Sequence, residues 1–253
     1  MDPPRLLLAP QFTELEWGIR PELERWAEVI ALDAPGVGEQ PLPDGVAIDP
    51  ERRNALSDWR QAAAERCLEE VDRRGWRRFL VVSDSHGAPT AVRLCGQRRE
   101  AVAGLALGHA SLSHSSEGDR PPFRGEIWDA FGQLTKQGNE AFVRYGIAQM
   151  TRGAVSNELA EQMLDRLSDM NLLTAAIEAL GNDPEPIGEA LGALDLPLLL
   201  AKHEGCLGRT DEGFEDIVAA FPEAETVICP EACASSPAFA EALRSFCARL
   251  SPA

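Results

Sequence analysis

Basic residues are scarce in this sequence. Only 24 Lys and Arg stand against 41 Asp and Glu, which leaves a formal net charge of −17. Affinity for a phosphate backbone comes from clustered Lys and Arg, so nucleic acid is not an expected partner. Long apolar runs are missing as well: none approaches the ~20 residues of a spanning helix, and no membrane contact is expected. Met1-Asp2-Pro3-Pro4 lacks the basic start of a signal peptide, so the expected location is cytoplasmic. Histidine is rare, with four in all (His86, His109, His114 and His203) and none after His203. Among the six cysteines, Cys229 and Cys233 are close, but no second pair or nearby histidine completes a zinc spacing. Cys67, Cys95 and Cys247 fall on the apolar stripes of expected helices, which reads as buried free thiols. Neither a metal nor a cofactor is expected.

What is present is a core. At 253 residues and 44% hydrophobic content, the chain can bury one large α/β domain with an inserted subdomain. Arg5 to Leu8 reads as a short strand. Pro21 to Trp26 follows as a helix with proline in its first turn, and Val29 to Leu32 as a buried strand. The next turn, Asp33-Ala34-Pro35-Gly36-Val37-Gly38, is rich in glycine. A loop from Gln40 to Pro50 precedes a helix in which Leu56, Trp59, Ala63, Cys67 and Val71 recur at helical spacing. Asn54 or Ser57 is its expected cap, and Gly75 its end. Trp76 to Ser83 and Val102 to Gly108 are further strands, flanking a helix with Ala88, Ala91, Val92 and Cys95 on one face. Strands alternating with helices imply a mostly parallel sheet covered on both faces.

The pattern changes after His109. From Pro121 to about Leu194 only helical segments appear, with Trp128, Phe131, Phe142 and Tyr145 among them. Leu198 to Ala201 restores the sheet, Asp211 to Ala220 is a helix, and Thr226 to Cys229 is the last strand. Phe239, Leu243, Phe246, Cys247 and Leu250 form the buried stripe of a closing helix. The core is thus assigned to residues 1–110 and 194–253, and a helical insertion to residues 111–193.

The junction Ser83-Asp84-Ser85-His86-Gly87 places a hydroxyl between strand and helix with small neighbours on both sides, as a strained strand-to-helix corner requires. With the Asp33–Gly38 turn, it makes the chain resemble the α/β-hydrolase superfamily over nearly its whole length. Ser83 replaces the usual first glycine of the nucleophile elbow. The resemblance implies an α/β-hydrolase fold, a mostly parallel sheet flanked by helices, in which the usual opening hairpin is missing and residues 111–193 form a helical lid. It also implies Ser85 as nucleophile, with oxyanion donors from the His86 amide and from Gln11 or Phe12 on the loop after the first strand. That loop begins Ala9-Pro10 where the family commonly has His-Gly.

The triad slots are where the resemblance departs. The acid slot falls in His203-Glu204-Gly205-Cys206, with Cys206 at the most direct alignment. The base slot falls in Pro230 to Pro237, where Ser235 stands at the expected imidazole position. A serine hydroxyl needs a base, and the base needs an orienting group. His109 is the candidate base, because loops at one edge of a parallel sheet converge on a site; a loop histidine bonded to the backbone is the alternative. Glu204 or Asp33 is the candidate orienter. Asp84, beside Ser85, and Trp128 and Tyr145, on the insertion, are candidate pocket residues.

Three functional classes remain. One is a serine hydrolase of an ester, thioester or lactone in a moderately apolar molecule. Another is a non-hydrolytic cyclase, lyase or proton-transfer enzyme on the same scaffold. The third is an inactive ligand-binding protein. The expected partner is a small molecule and, in a homodimer, a second copy of the chain.

Overall fold

The strands of this protein are apolar on both faces, because both faces are covered. In the computed structural model, which describes residues 2–49, 51–52, 54–110, 187–204 and 211–250 together with positions 161, 162, 165, 166 and 175, six strands form one sheet. They are β1 (Arg5–Leu8), β2 (Glu28–Ala31), β3 (Phe79–Asp84), β4 (Val102–Gly108), β5 (Leu198–His203) and β6 (Glu225–Cys229). Their order is β2-β1-β3-β4-β5-β6, and all five pairings are parallel. No antiparallel hairpin stands beside β2 among the described residues.

Side chains of successive strand residues point to opposite faces, and each face has its own core. On one face Leu7, Val81, Leu105 and Leu200 pack with Cys67, Val71, Ala91 and Leu94. These come from the helices α2 (Ser57–Arg73) and α3 (Ala88–Gln97). On the other face Leu6, Leu8, Val82 and Leu199 pack with Leu23 of α1 (Arg20–Leu23). Phe239, Leu243 and Phe246 of the closing helix complete that layer. Between these lie α4 (Gly188–Leu194) and α5 (Asp211–Ala220), and the closing helix, Pro237–Leu250, is α6. α4 packs against α3, and Ile187, Leu191 and Leu194 are buried in the first core, so the chain is already on the core from Ile187.

Local structure refines the expected boundaries. α2 is capped by Leu56 without a side-chain hydrogen bond, while Asn54 takes a positive φ of 60°. The first helix is a single turn, followed by the turn Glu24–Trp26. Among the described residues, no helix is long and apolar enough to cross a membrane. Five cysteines are free and buried; burial pushes the thiols of Cys67, Cys95 and Cys247 up to about 12. Most of the insertion, with Trp128, Tyr145 and His114, lies outside the described residues, as does Cys206.

Candidate active site

β3 ends in Asp84, and the chain turns through one 3-10 turn, Ser85–Gly87, straight into α3. Ser85 has φ +45°, a left-handed conformation that side-chain-bearing residues rarely adopt. The turn is possible because its neighbours are small. A Cβ on Gly87 would lie 2.8 Å from Ser83 Oγ, 3.2 Å from the Pro10 carbonyl and 3.3 Å from that of Ala9. The loop after β1 therefore crosses directly over the elbow. Ser83 packs against Gly87, and its buried hydroxyl has no hydrogen-bond partner among the described residues. Ser83→Ala is accordingly expected to be neutral or to stabilise by up to ~1 kcal/mol. Gly87→Ala should cost about 1–3 kcal/mol by overpacking, and the double variant should recover part of that loss. Denaturant midpoints of the three variants check this.

The first loop carries the expected main-chain donors Gln11 and Phe12. Gln11 is buried, and no acceptor among the described residues meets its amide. Phe12 differs: its amide donates to Glu16 Oε2 at 3.3 Å. Thr13 caps the 3-10 turn Glu14–Glu16, accepting from the Leu15 amide while Glu16 folds back onto the start of the turn, a capping box. The Phe12 amide is thus committed within its own loop, whereas the Gln11 amide is not. The His86 amide sits in the elbow turn itself. The Phe12 ring is held by Trp59 of α2, with centroids 5.8 Å apart, and the Trp59 indole donates to the Pro35 carbonyl at 2.8 Å. One aromatic residue thereby props both the donor loop and the Asp33–Gly38 turn.

Within that turn Asp33 is 5% exposed and fully engaged. Its Oδ1 accepts from Thr13 Oγ1 at 2.8 Å and from the Glu14 amide at 2.9 Å, and its Oδ2 accepts from Arg166 Nη1 at 2.7 Å. Arg166 also reaches Glu14 Oε1 at 3.0 Å, and its carbonyl accepts from the Gly38 amide at 2.7 Å. Gly38 has φ +60°, and a Cβ there would lie 2.6 Å from Asp33 Oδ2. Asp33 is thus a clamp between loops, bonded to none of the described histidines.

Glu16 carries the most perturbed carboxyl of this region. Burial raises it to about 8, the charges of Asp84 and Asp33 add to the effect, and the Phe12 and Thr13 amides oppose it. Asp84 is buried, and its Oδ2 accepts from the Ala234 amide at 3.3 Å. It ties the elbow strand to the loop after β6, packing with Cys233 around Gly108.

Of the expected acid and base slots, Glu204 and Ser235 lie among the described residues. Ser235, in the 3-10 turn Cys233–Ser235, lies against Gly18, with its Oγ 3.0 Å from where a Gly18 Cβ would be. The Ile19 amide donates to the Ala234 carbonyl at 3.1 Å, closing the first loop over this slot. Glu204 is exposed, its amide donates to the Cys229 carbonyl at 2.8 Å, and its carboxylate accepts no hydrogen bond among the described residues. His109 follows β4 with φ +50° and donates its amide to the Ala201 carbonyl at 2.6 Å. Its ring stacks on His203 at 4.7 Å.

Sequence reasoning missed Glu16, Arg166 and the partnership of His203 with His109. Only the first had a local signal, the spacing Thr13-x-x-Glu16.

No family model matches the sequence, and no curated protein matches it. Solved structures do match. A hydrolase from Oleispira antarctica superposes with a TM-score of 0.74 at 14% identity, covering 97% of this chain and 91% of that one. The esterase RhEst1 from Rhodococcus sp. ECU1013 does so with 0.73 at 16%, covering 98% and 92%. A thioesterase domain from the curacin biosynthetic pathway gives 0.67 at 17%, covering 97% and 91%. With a parallel sheet in this strand order, a one-turn elbow at Ser85 and these neighbours over almost its full length, the chain has the α/β-hydrolase fold.

Proposed function

We propose that this protein is an acyl hydrolase acting through Ser85 on an ester, thioester or lactone of a small, moderately apolar molecule. The observation that carries the reading is the backbone of Ser85, held at φ +45° on the elbow. Such a conformation costs ~1–3 kcal/mol in a residue with a side chain, and strain of this kind clusters at working sites. On the loop that lies against Gly87, the Gln11 amide is a donor that no described residue consumes. The neighbours named hydrolase, esterase and thioesterase support the same class of chemistry.

In this mechanism Ser85 Oγ attacks the acyl carbon, and the Gln11 and His86 amides stabilise the oxyanion. His109 is the base that takes the serine proton; it leaves β4 at the level at which Ser85 leaves β3, since Asp84 pairs with Gly108. A cytoplasmic setting, no cofactor and no nucleic-acid or membrane partner belong to the same proposal. So does a pocket under a lid carrying Trp128 and Tyr145.

A second reading is favoured by one observation: Ser235, packed against Gly18, stands at the expected base slot. On that reading the scaffold binds a carbonyl compound for a non-hydrolytic reaction, or for no reaction at all. Turnover of p-nitrophenyl esters and an acyl thioester separates the two. The first reading expects Ser85→Ala to lose about 10³-fold or more in kcat with folding intact. Turnover indifferent to Ser85, or absent across the panel, would move the assignment to the second.

A further inference from the structure

β6 ends at Cys229, and after three more residues the chain turns back onto the sheet at Cys233, the first residue of the 3-10 turn Cys233–Ser235. Both thiols are fully buried. They lie in the same core, the one that α6 covers, and share it with the small side chains of Ala106, Ala201 and Ala240. The loop joining them is at the surface: Pro230 is exposed, and Glu231 and Ala232 are half-buried. Cys233 reaches back past β5, its Cβ 2.8 Å from where a Cβ on Gly108 of β4 would be. In this arrangement the two cysteine side chains are in hydrogen-bond contact. That contact polarises the pair. The bond from Cys233 holds the Cys229 thiol below its usual range, against burial and the charges of Asp84 and Glu231. The same bond, together with burial, keeps Cys233 protonated. Cys67, Cys95 and Cys247 have no such neighbour acting on them, and burial alone dominates.

We propose that Cys229 and Cys233 form a dithiol–disulfide site oxidised by a peroxide, with Cys229 as the attacking thiolate and Cys233 as the resolving thiol. The site does not depend on the reading of Ser85. Cys229 Sγ attacks one peroxide oxygen; the S–O bond forms, the O–O bond breaks and hydroxide leaves, so that Cys229 becomes a sulfenic acid. Cys233 Sγ then attacks that sulfur, the S–S bond forms, the S–O bond breaks, and the departing oxygen takes the Cys233 proton and leaves as water. The dithiol has lost two electrons and the peroxide has gained them. The bridge ties β6 to the segment whose Ala234 amide donates to Asp84 Oδ2 and whose Ala234 carbonyl accepts from the Ile19 amide. Oxidation thus closes a covalent link behind the elbow strand.

Peptide mass after peroxide treatment tests this. Folded wild-type protein is treated with hydrogen peroxide, quenched in acid, and alkylated in denaturant with and without prior reduction. Trypsin leaves both cysteines on one peptide, residues 210–244, which holds neither Cys206 nor Cys247. The expected result is that this peptide loses two hydrogens and takes up no alkyl group until it is reduced. It should do so at least about tenfold faster than Cys67, Cys95 or Cys247 is oxidised, because the thiolate is the reactive form. In Cys233→Ser, where the hydroxyl keeps a donor, Cys229 should stop at the sulfenic acid and be trapped by dimedone. In Cys229→Ser, Cys233 should stay an unmodified thiol. A wild-type peptide that still takes up two alkyl groups without reduction, gains oxygen in place of losing hydrogen, or is found bridged to Cys206 or Cys247 overturns the inference. So does a dimedone adduct on Cys233 in Cys229→Ser. The wild-type readout needs no substitution, and ester turnover does not enter it, so failure of this site and failure of the hydrolytic reading are read separately.

Discussion

Asp33→Asn should lower the stability of the protein by about 3 kcal/mol in denaturant unfolding. The carboxylate is almost fully buried and accepts from Thr13 Oγ1, the Glu14 amide and Arg166 Nη1. An Asn side chain can still accept on Oδ1, but it turns an NH₂ toward the guanidinium where Oδ2 stood, setting donor against donor. Breaking a buried pair from one side leaves the partner uncompensated and costs ~3–5 kcal/mol in fully buried cases. The Arg166 side chain is 40% exposed, so solvent softens the loss toward the lower end. The same geometry makes the pair asymmetric. Arg166→Gln leaves Asp33 bonded to Thr13 and Glu14 and lets a half-exposed partner go, so its expected cost is only ~1 kcal/mol. Equal costs for the two variants would mean that Asp33 is not the centre of the clamp.

A second large effect concerns pH. Burial raises the Glu16 carboxyl to about 8. In the unfolded chain it ionises near 4.5, so between about pH 4.5 and 8 the unfolded state releases a proton that the folded state retains. Stability due to this group is therefore fully present below about pH 4.5. It falls as pH rises through that window and levels off above about 8. Glu16 keeps some contact with solvent, so the loss is set on the order of 2 kcal/mol, below the full value of the shift. Glu16→Gln preserves a side chain able to close the capping box with Thr13 and cannot ionise. Its stability relative to wild type should rise across the same window. A difference between the two proteins that stays flat from pH 4.5 to 8 contradicts the burial of this carboxyl.

The parts of the fold legible in the sequence are those written in short-range pattern. The strands are continuous apolar runs because a parallel sheet is buried on both faces, and Leu6, Leu7 and Leu8 serve two different cores. The elbow is legible because a hydroxyl at positive φ needs small neighbours, and Gly87 has no room for a Cβ. The Asp33–Gly38 turn was legible as a motif, but its chemistry was not. What satisfies Asp33 includes an arginine 133 residues away, and no local pattern encodes a contact at that distance. The fate of the Phe12 amide depends on Glu16 folding back over a single turn. His109 was visible from its place after β4. The direction of its ring follows from the register that brings His203 to the end of the next strand, a property of three strands together. Trp59 read only as part of a helical stripe, and its polar edge found Pro35 because of where the turn lies.

The activated state of Ser85 is the central claim, and covalent labelling addresses it most directly. Purified wild-type protein is incubated with a fluorophosphonate, digested, and the modified peptide located by mass spectrometry. The account predicts one adduct, on Ser85, absent from Ser85→Ala. A folded wild-type protein that stays unmodified, or carries its adduct on another residue, contradicts it.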